Sequence, residues 1–333
     1  MQTRSEAGPV PRQKRGVVER YVHVPPLKRQ QMYNAILFIS PALAIYLVFM
    51  LYPFINTIYL SFTNWNGATV TKDFVGLSNY ARMVGDTAAW KAFSNTIIWV
   101  IIGTISPVVI GLFLALVLWS GARGSLILRT VYFLPFVLPL VVVAFVWQWI
   151  FHPLFGPLNK LLDSVGLEQL SRGWLGDPTT ALYAVLVSAI PGATGFVVVV
   201  LFAALQNVDV SQVEAAKIDG ANWFQRAWYI VIPQLAPVIT LVTSITLIGG
   251  FAVFDNVFVM TGGGPGHASE VLGTYTYQVA FQENLAGYGS TLAVLMTALS
   301  LVSAIVFVRL RERQRDDTCT TKHSGRHLLR DGS

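Results

Sequence analysis

The residues able to do chemistry in this chain are few, and they keep out of its most apolar stretches. Five histidines (His23, His152, His267, His323 and His327) are scattered at spacings that suit no metal site. The single cysteine, Cys319, lies in a charged tail, which excludes an intrachain disulfide and a cysteine-based metal cluster. The run TGGGPG, Thr261–Gly266, is glycine-rich, but no lysine follows it, so it reads as a turn rather than a phosphate cradle. No apolar stretch offers a nucleophile beside a base, or paired carboxylates for acid–base work. What stands out instead is a polar segment between two apolar runs, EAAKIDGANWFQRAWYIVIP, Glu214 to Pro233. With carboxylates at Glu214 and Asp219, cations at Lys217 and Arg226, and a glycine at 220, its chemistry is that of a surface to be touched.

The elements that hold this segment are membrane helices. Charged residues make up 12% of the chain, about half the roughly 25% usual in soluble domains. Six stretches reach the roughly 20 apolar residues that a bilayer crossing takes: Met32–Leu60, Thr96–Trp119, Thr130–Phe151, Thr179–Leu205, Pro233–Phe254 and Tyr288–Val308. None contains Asp, Glu, Lys or Arg, a sorting that follows from the cost of about 2.5–3.5 kcal/mol for a charge at the bilayer centre. Of the 23 basic residues, 18 fall in the two tails and the second and fourth connections, and this asymmetry places both termini and the quoted segment in the cytoplasm. The fold class expected is an all-α integral membrane protein of six transmembrane helices. Residues 1–31 form a basic tail with no fixed structure and no signal-peptide core. Residues 32–308 are the membrane domain, with residues 209–233 as its cytoplasmic segment, and 309–333 are a charged tail. The net charge of +6 is thus explained by topology and contact with anionic lipid, and nucleic acid is not expected as a partner.

Within the segment, Asp209 and Ser211 are candidate N-caps for a short helix that ends at Gly220, the residue expected where a helix closes in a left-handed conformation. A second helical run carries Phe224, Ala227, Trp228 and Val231 at i, i+3, i+4 and i+7. On periodicity alone, an amphipathic connector lying in the headgroup region accounts for the pattern as well as a docking site does. Pro191, Gly192 and Gly195 interrupt the fourth stretch, as either a tolerated kink or a break that lines a polar cavity. With no ionisable group inside the spans except Asp255 at the end of the fifth, a proton-coupled mechanism lacks its relay. An ion-coupled secondary transporter of a small polar solute, using carbonyls and hydroxyls alone, stays as the alternative. An intramembrane enzyme comes a distant third.

The segment resembles the cytoplasmic signature of binding-protein-dependent ABC importer permeases, E-A-A-x3-G-x9-I-x-L-P. Glu214, Ala215, Ala216, Gly220, Ile230 and Pro233 match in register, and Ile232 stands where leucine is usual. The stretches FVGLSNY (Phe74–Tyr80), Asn95-Thr96, Phe254–Phe281 and GYGSTLAVLM (Gly287–Met296) resemble the carbohydrate branch of that family, the branch of the maltose and glycerol-phosphate permeases. The resemblance implies a type I importer permease in the bacterial plasma membrane that moves a sugar or oligosaccharide and has no catalytic site of its own. It implies that Glu214, Ala215, Ala216, Asp219, Gly220, Ile230 and Pro233 couple the spans to a cytoplasmic ATPase dimer. ATP and magnesium would sit on that partner and no cofactor on this chain. The other partners implied are a second, homologous permease in a heterodimer, an extracytoplasmic sugar-binding lipoprotein and membrane lipid. Trp223, Phe224 and Trp228 would anchor the segment against its own bundle. For the sugar path the candidates are Gln148, Gly192, Thr194, Asp255, Asn256, Tyr288 and Ser290. Interfacial anchoring or interhelical hydrogen bonding is the stronger explanation of most of these side chains, with ligand contact the alternative.

Overall fold

The computed structural model describes residues 29–121, 130–131 and 134–328, with side chains described between 31 and 311. The readings made above for residues 1–28, for Arg123 and Arg129 and for the end of the C-terminal tail lie outside the described residues, as does the side chain of Cys319. The chain divides into two compact units, Met1–Phe54 and Ile55–Ser333. In the first, helix α1 (Arg29–Tyr46) tolerates Pro41 and passes into a π-helical turn, Leu47–Leu51; the next helix, α2 (Tyr52–Leu60), begins there and has most of its residues in the second unit.

In the second unit, α3 (Ser78–Gly85) precedes α4 (Thr87–Trp119), whose 33 residues span about 50 Å at 1.5 Å per residue. Asp86 starts α4 by accepting the Ala88 and Ala89 amides at 2.9 and 3.2 Å. Then come α5 (Leu140–Ile150), α6 (Pro157–Ser164), α7 (Ala181–Leu205), α8 (Val210–Ile218) and α9 (Trp223–Arg226). A π-helical turn, Ala227–Val231, joins α9 to α10 (Ile232–Phe251) without a break. After α11 (Asp255–Met260) and α12 (Leu272–Tyr277), the chain ends in α13 (Ala286–Leu328). The only strand-like pairing among the described residues is an isolated bridge between Thr63 and Phe74.

Five helical segments are long and apolar enough to cross a bilayer: Gln31–Leu60, Thr87–Trp119, Ala181–Leu205, Trp223–Phe251 and Ala286–Arg311. They carry the first, second, fourth, fifth and sixth predicted stretches. The third, Thr130–Phe151, includes residues 132–133, which are outside the described set. Its described part is helical at 134–137 and again from Leu140, with Pro139 extended at φ −55° and ψ 133° between them. Pro139 lacks the N–H that a continuous helix would need there, and Pro135 lies one turn before it. In the fourth stretch the opposite holds. α7 runs unbroken through Pro191 and Gly192, so that cluster is a tolerated proline and not an interruption of the helix.

Two core clusters lie at different heights along α4. One joins Ala115 and Leu116 to Val197 and Leu201 of α7, to Ala227 and Val231, and to Leu235 of α10. The other joins Trp99 to Ala144, Leu182, Val185, Val257 and Met260. The close approach of α4 and α7 depends on Gly111, where a Cβ would lie 2.6 Å from Val197 Cγ1. Outward from these clusters, large side chains such as Ile105, Val109 and Phe113 are exposed along α4, a surface made for hydrocarbon rather than water.

Candidate functional site

The polar segment folds through local hydrogen bonds. Asp209 caps α8 by accepting from the Ser211 amide and hydroxyl at 3.0 and 2.6 Å and from Gln212 Nε2 at 2.9 Å. These bonds hold its carboxyl below the usual carboxylate range. At the other end Gly220 takes φ +85°, its amide donating to the Lys217 carbonyl at 3.2 Å while the Ala221 amide reaches back to Ala216 at 2.9 Å. That pair of bonds is a Schellman closure, and it fixes where α8 stops. Asn222 and Gln225 then exchange side-chain and backbone bonds, each at 2.8 Å, in a capping box that starts the next rod.

This closure leaves one side of α8 uncovered by the other described residues. Glu214, Ala215, Ile218, Asp219 and Gly220 are all exposed, Ile218 at 86%, and Ala216 is half-buried. Ile230 is half-buried and Pro233 exposed at the base of the following span. The apolar stripe of the second run divides. Ala227 and Val231 enter the inner core, while Phe224 and Trp228 stack on each other outside it, ring centroids 6.1 Å apart. Trp223 is the aromatic residue that faces back toward α4, in a hollow shared with Trp119 and Val213.

Between the two core clusters lies a cavity of about 470 Å3, within the range of roughly 300–1,000 Å3 typical of small-molecule sites. Its wall includes Trp99, Gly103 and Pro107 of α4, Gly192 and Phe196 of α7, Gly250 of α10, and Phe254, Asp255 and Asn256. The structure therefore brings Gly192, Asp255 and Asn256 together. Ser188 and Thr246 also line the space, but their hydroxyls bond the carbonyls of Val185 and Val242 in their own helices. Neither the Asp255 nor the Asn256 side chain is held by a hydrogen bond among the described residues, which leaves both available to a ligand. Asp255 is the only ionisable residue among the described residues of the lining.

The other candidates for the path are placed elsewhere. Gln148 points its amide at the Val259 and Met260 carbonyls, at 2.8 and 3.1 Å. Thr194 is buried, with its hydroxyl unpartnered among the described residues, but it is not in the lining. Tyr288 donates to Asp86 Oδ2 at 2.6 Å, Tyr275 does the same at 2.6 Å, and Arg82 lies 4.4 Å over the Tyr288 ring. Ser290 is half-buried one turn along α13. Burial works to raise the Asp86 carboxyl, but the two tyrosine bonds and the Ala89 and Ala88 amides outweigh it and hold Asp86 below its ordinary value.

Asn95 and Glu270 lie in stretches that carry the family resemblance, but the sequence does not show what their side chains do. Asn95 Nδ2 donates to the Ala268 and Glu270 carbonyls at 2.9 and 2.8 Å, and Thr96 Oγ1 accepts the Leu272 amide at 2.9 Å. The Asn95-Thr96 pair thus ties the glycine-rich turn to α4. Glu270 is almost fully buried beneath Gly263, whose missing side chain makes room for the carboxylate, and His267 Nδ1 lies 3.2 Å from Glu270 Oε2. Burial pushes the Glu270 carboxyl up, against the bonds from Thr274 and His267. A lone carboxylate in an outer loop gives no local signal of such burial.

Residues 107–316 match the family described as binding-protein-dependent transport system inner membrane components. The chain is 34% identical over 283 residues to "Probable ABC transporter permease protein YurN" of Bacillus subtilis, covering 84% of this chain and 97% of that protein. It is 30% identical over 292 residues to the trehalose/maltose transport system permease protein MalF of Thermococcus litoralis, covering 87% and 97%. Its fold matches a chain from the crystal structure of a bacterial ABC transporter involved in import of the acidic polysaccharide alginate. The TM-score is 0.76 at 20% identity, over 85% of this chain and 96% of that one.

Proposed function

This chain belongs to the family of binding-protein-dependent transport system inner membrane components, and from that premise we propose that it is a permease subunit of an ATP-driven importer of a neutral sugar or short oligosaccharide. The observation that carries the proposal is the exposed face of α8, Glu214 to Gly220, which is capped at both ends and uncovered by the other described residues. An exposed helix, capped at both ends, with a carboxylate and an apolar knob at Ile218 suits a cleft on a cytoplasmic ATPase, and in this reading ATP and magnesium would sit on that partner. Closure of an ATPase pair would move α8. Through Gly220, the rod from Trp223 to Phe251 would follow as one piece, since the π-helical turn joins α9 to α10 without a gap. Ala227, Val231 and Leu235 pack on Ala115 and Val197, so the motion would reach α4 and α7, whose outer halves wall the cavity.

The cavity favours a neutral carbohydrate. Aromatic faces at Trp99, Phe196 and Phe254 suit sugar rings, and the unengaged Asp255 and Asn256 suit hydroxyls. One carboxylate with no lysine or arginine in the lining would repel an acidic sugar such as alginate. In this reading a second permease completes the passage in a heterodimer, and an extracytoplasmic sugar-binding lipoprotein delivers the cargo. The relative from Thermococcus litoralis, with trehalose and maltose in its name, supports the choice of a neutral sugar.

The test is purification through a tag on this chain, identification of its partners by mass, and reconstitution in liposomes. ATP-dependent uptake that needs both a second permease and an ATPase is expected. Uptake by this chain alone, driven by a sodium or proton gradient, would overturn the proposal.

A further inference from the structure

The hollow behind α8 has a chemistry that sugar transport does not use. It encloses about 170 Å3, lined chiefly by Leu116, Trp119, Val213, Trp223, Arg226 and Val231. That is below the roughly 300 Å3 at which pockets begin to enclose a whole small molecule, so it suits one end of a longer one. Its walls are two indoles and aliphatic side chains. Arg226 is the single charged group among the described residues of the lining. It is half-buried, and Nη1 donates to the Ala221 carbonyl at 2.6 Å, which steers the guanidinium and leaves most of its donors unspent. The single ion pair among the described residues is His267–Glu270, far along the chain, so none of the described carboxylates pairs with Arg226. A half-buried guanidinium without a counter-charge favours an anion, and its planar fork matches phosphate oxygens.

Position decides which anion. The hollow sits where the apolar helix Thr87–Trp119 ends and the apolar helix Trp223–Phe251 begins, the level at which tryptophans settle among lipid headgroups. Phe224, Trp228 and Tyr229, all exposed on the same rod, extend an aromatic surface beside it. The excess of basic residues assigns this end of the spans to the cytoplasmic leaflet, where anionic lipids concentrate. We infer that this hollow is a binding site for the headgroup of an anionic phospholipid, with the phosphate on the Arg226 guanidinium and the glycerol and first acyl carbons against Trp119 and Trp223. Inorganic phosphate shares the first contact but gains nothing from the indole walls. Val213, which lines the hollow, is the neighbour of Glu214, so a bound headgroup would wedge between α8 and the end of α4 and fix the angle at which α8 is held.

The experiment is native mass spectrometry of the chain purified with its partners, stripped of lipid in mild detergent and titrated with phosphatidylglycerol or with phosphatidylcholine of the same acyl chains. Phosphatidylglycerol should be retained at one site more than phosphatidylcholine. Arg226→Gln should weaken that site roughly tenfold or more, the factor for losing a charge-assisted hydrogen bond, and Arg226→Lys should keep most of it. A tenfold excess of inorganic phosphate or glycerol phosphate should fail to displace the lipid. Equal phosphatidylglycerol retention by wild type and Arg226→Gln would overturn the inference, as would displacement by free phosphate or equal loss in the Lys and Gln variants of intact complexes. Because the readout is lipid binding, it stands or falls separately from sugar transport.

Discussion

Gly220 gives the sharpest test of how α8 is presented. Its φ of +85° lies in the left-handed region, and a Cβ built there would meet nothing within 4 Å. Space is therefore no obstacle, and any cost of a side chain comes from the backbone alone. For an L-residue that cost is roughly 1–2 kcal/mol, least for asparagine and greatest for a β-branched residue. No residue of α8 is fully buried, so little packing holds the helix in place when the turn is strained. A variant relaxes when undocked and must regain the left-handed turn to dock. Under the proposed docking, the penalty therefore falls on the affinity for the ATPase, and 1–2 kcal/mol would lower it about 5–30-fold.

The expected series is Gly220 close to Gly220→Asn, then Gly220→Ala a few-fold weaker, then Gly220→Val weaker by about 30-fold. The assay is ATPase binding to the purified membrane subunits, followed by ATP-driven uptake in proteoliposomes. Membrane insertion should be unchanged, since a side chain there would meet no described atom within 4 Å. Wild-type binding and uptake in Gly220→Val would refute the reasoning. So would equal loss in the Asn and Val variants, because that result would point to a requirement for space and not for backbone conformation.

Other perturbations test the remaining geometry. Alanine at Asp255 or Asn256 should alter substrate-stimulated ATP hydrolysis in the assembled complex, and no change in either would remove both from the sugar path. Gly111→Val should destabilise the protein in detergent by the roughly 1–3 kcal/mol that overpacking costs, seen as a lower melting temperature, and Val197→Ala should recover only part of it, because the Val197 Cβ itself would lie 2.8 Å from a Cβ at 111. An unchanged melting temperature would mean that α4 and α7 separate freely. Asp86 accepts bonds from Tyr275 and Tyr288, and its carboxyl is held below the ordinary value, so its contribution to stability is fully present above the unfolded pKa of about 3.9. That contribution is lost as pH falls through the lower, folded value. Thermal unfolding of wild type and Asp86→Asn should therefore differ near neutral pH, with the wild type more stable, and converge as the pH falls through the lowered folded value of Asp86. A gap that does not change with pH would show that the tyrosines do not depend on the charge.

What could be read from the sequence is what is settled by neighbours within a turn or two. The caps at Asp209 and Gly220 were legible because each orphan amide or carbonyl there is satisfied within three to five residues. The stripe Phe224, Ala227, Trp228 and Val231 correctly signalled a helix, but periodicity does not say which row finds a partner. Packing against Ala115 and Val197 chose Ala227 and Val231, and left Phe224 and Trp228 outside. The division of the third stretch at Pro139 was hidden for a related reason. Within a membrane an apolar run continues across a break, so hydropathy does not mark where the backbone departs from the helix. The sugar path was least legible because its candidates were chosen by polarity, and polarity in these spans serves two purposes. Gln148 and Tyr288 are spent on partners at Val259 and Asp86, contacts that cross more than a hundred residues of sequence. Asp255 and Asn256 are polar too, but they face the cavity unspent. A buried polar group is costly unless something answers it; Asn256 is half-buried and would gain in this way from a hydroxyl in the cavity, whereas Asp255 is exposed and loses little by lacking an internal partner.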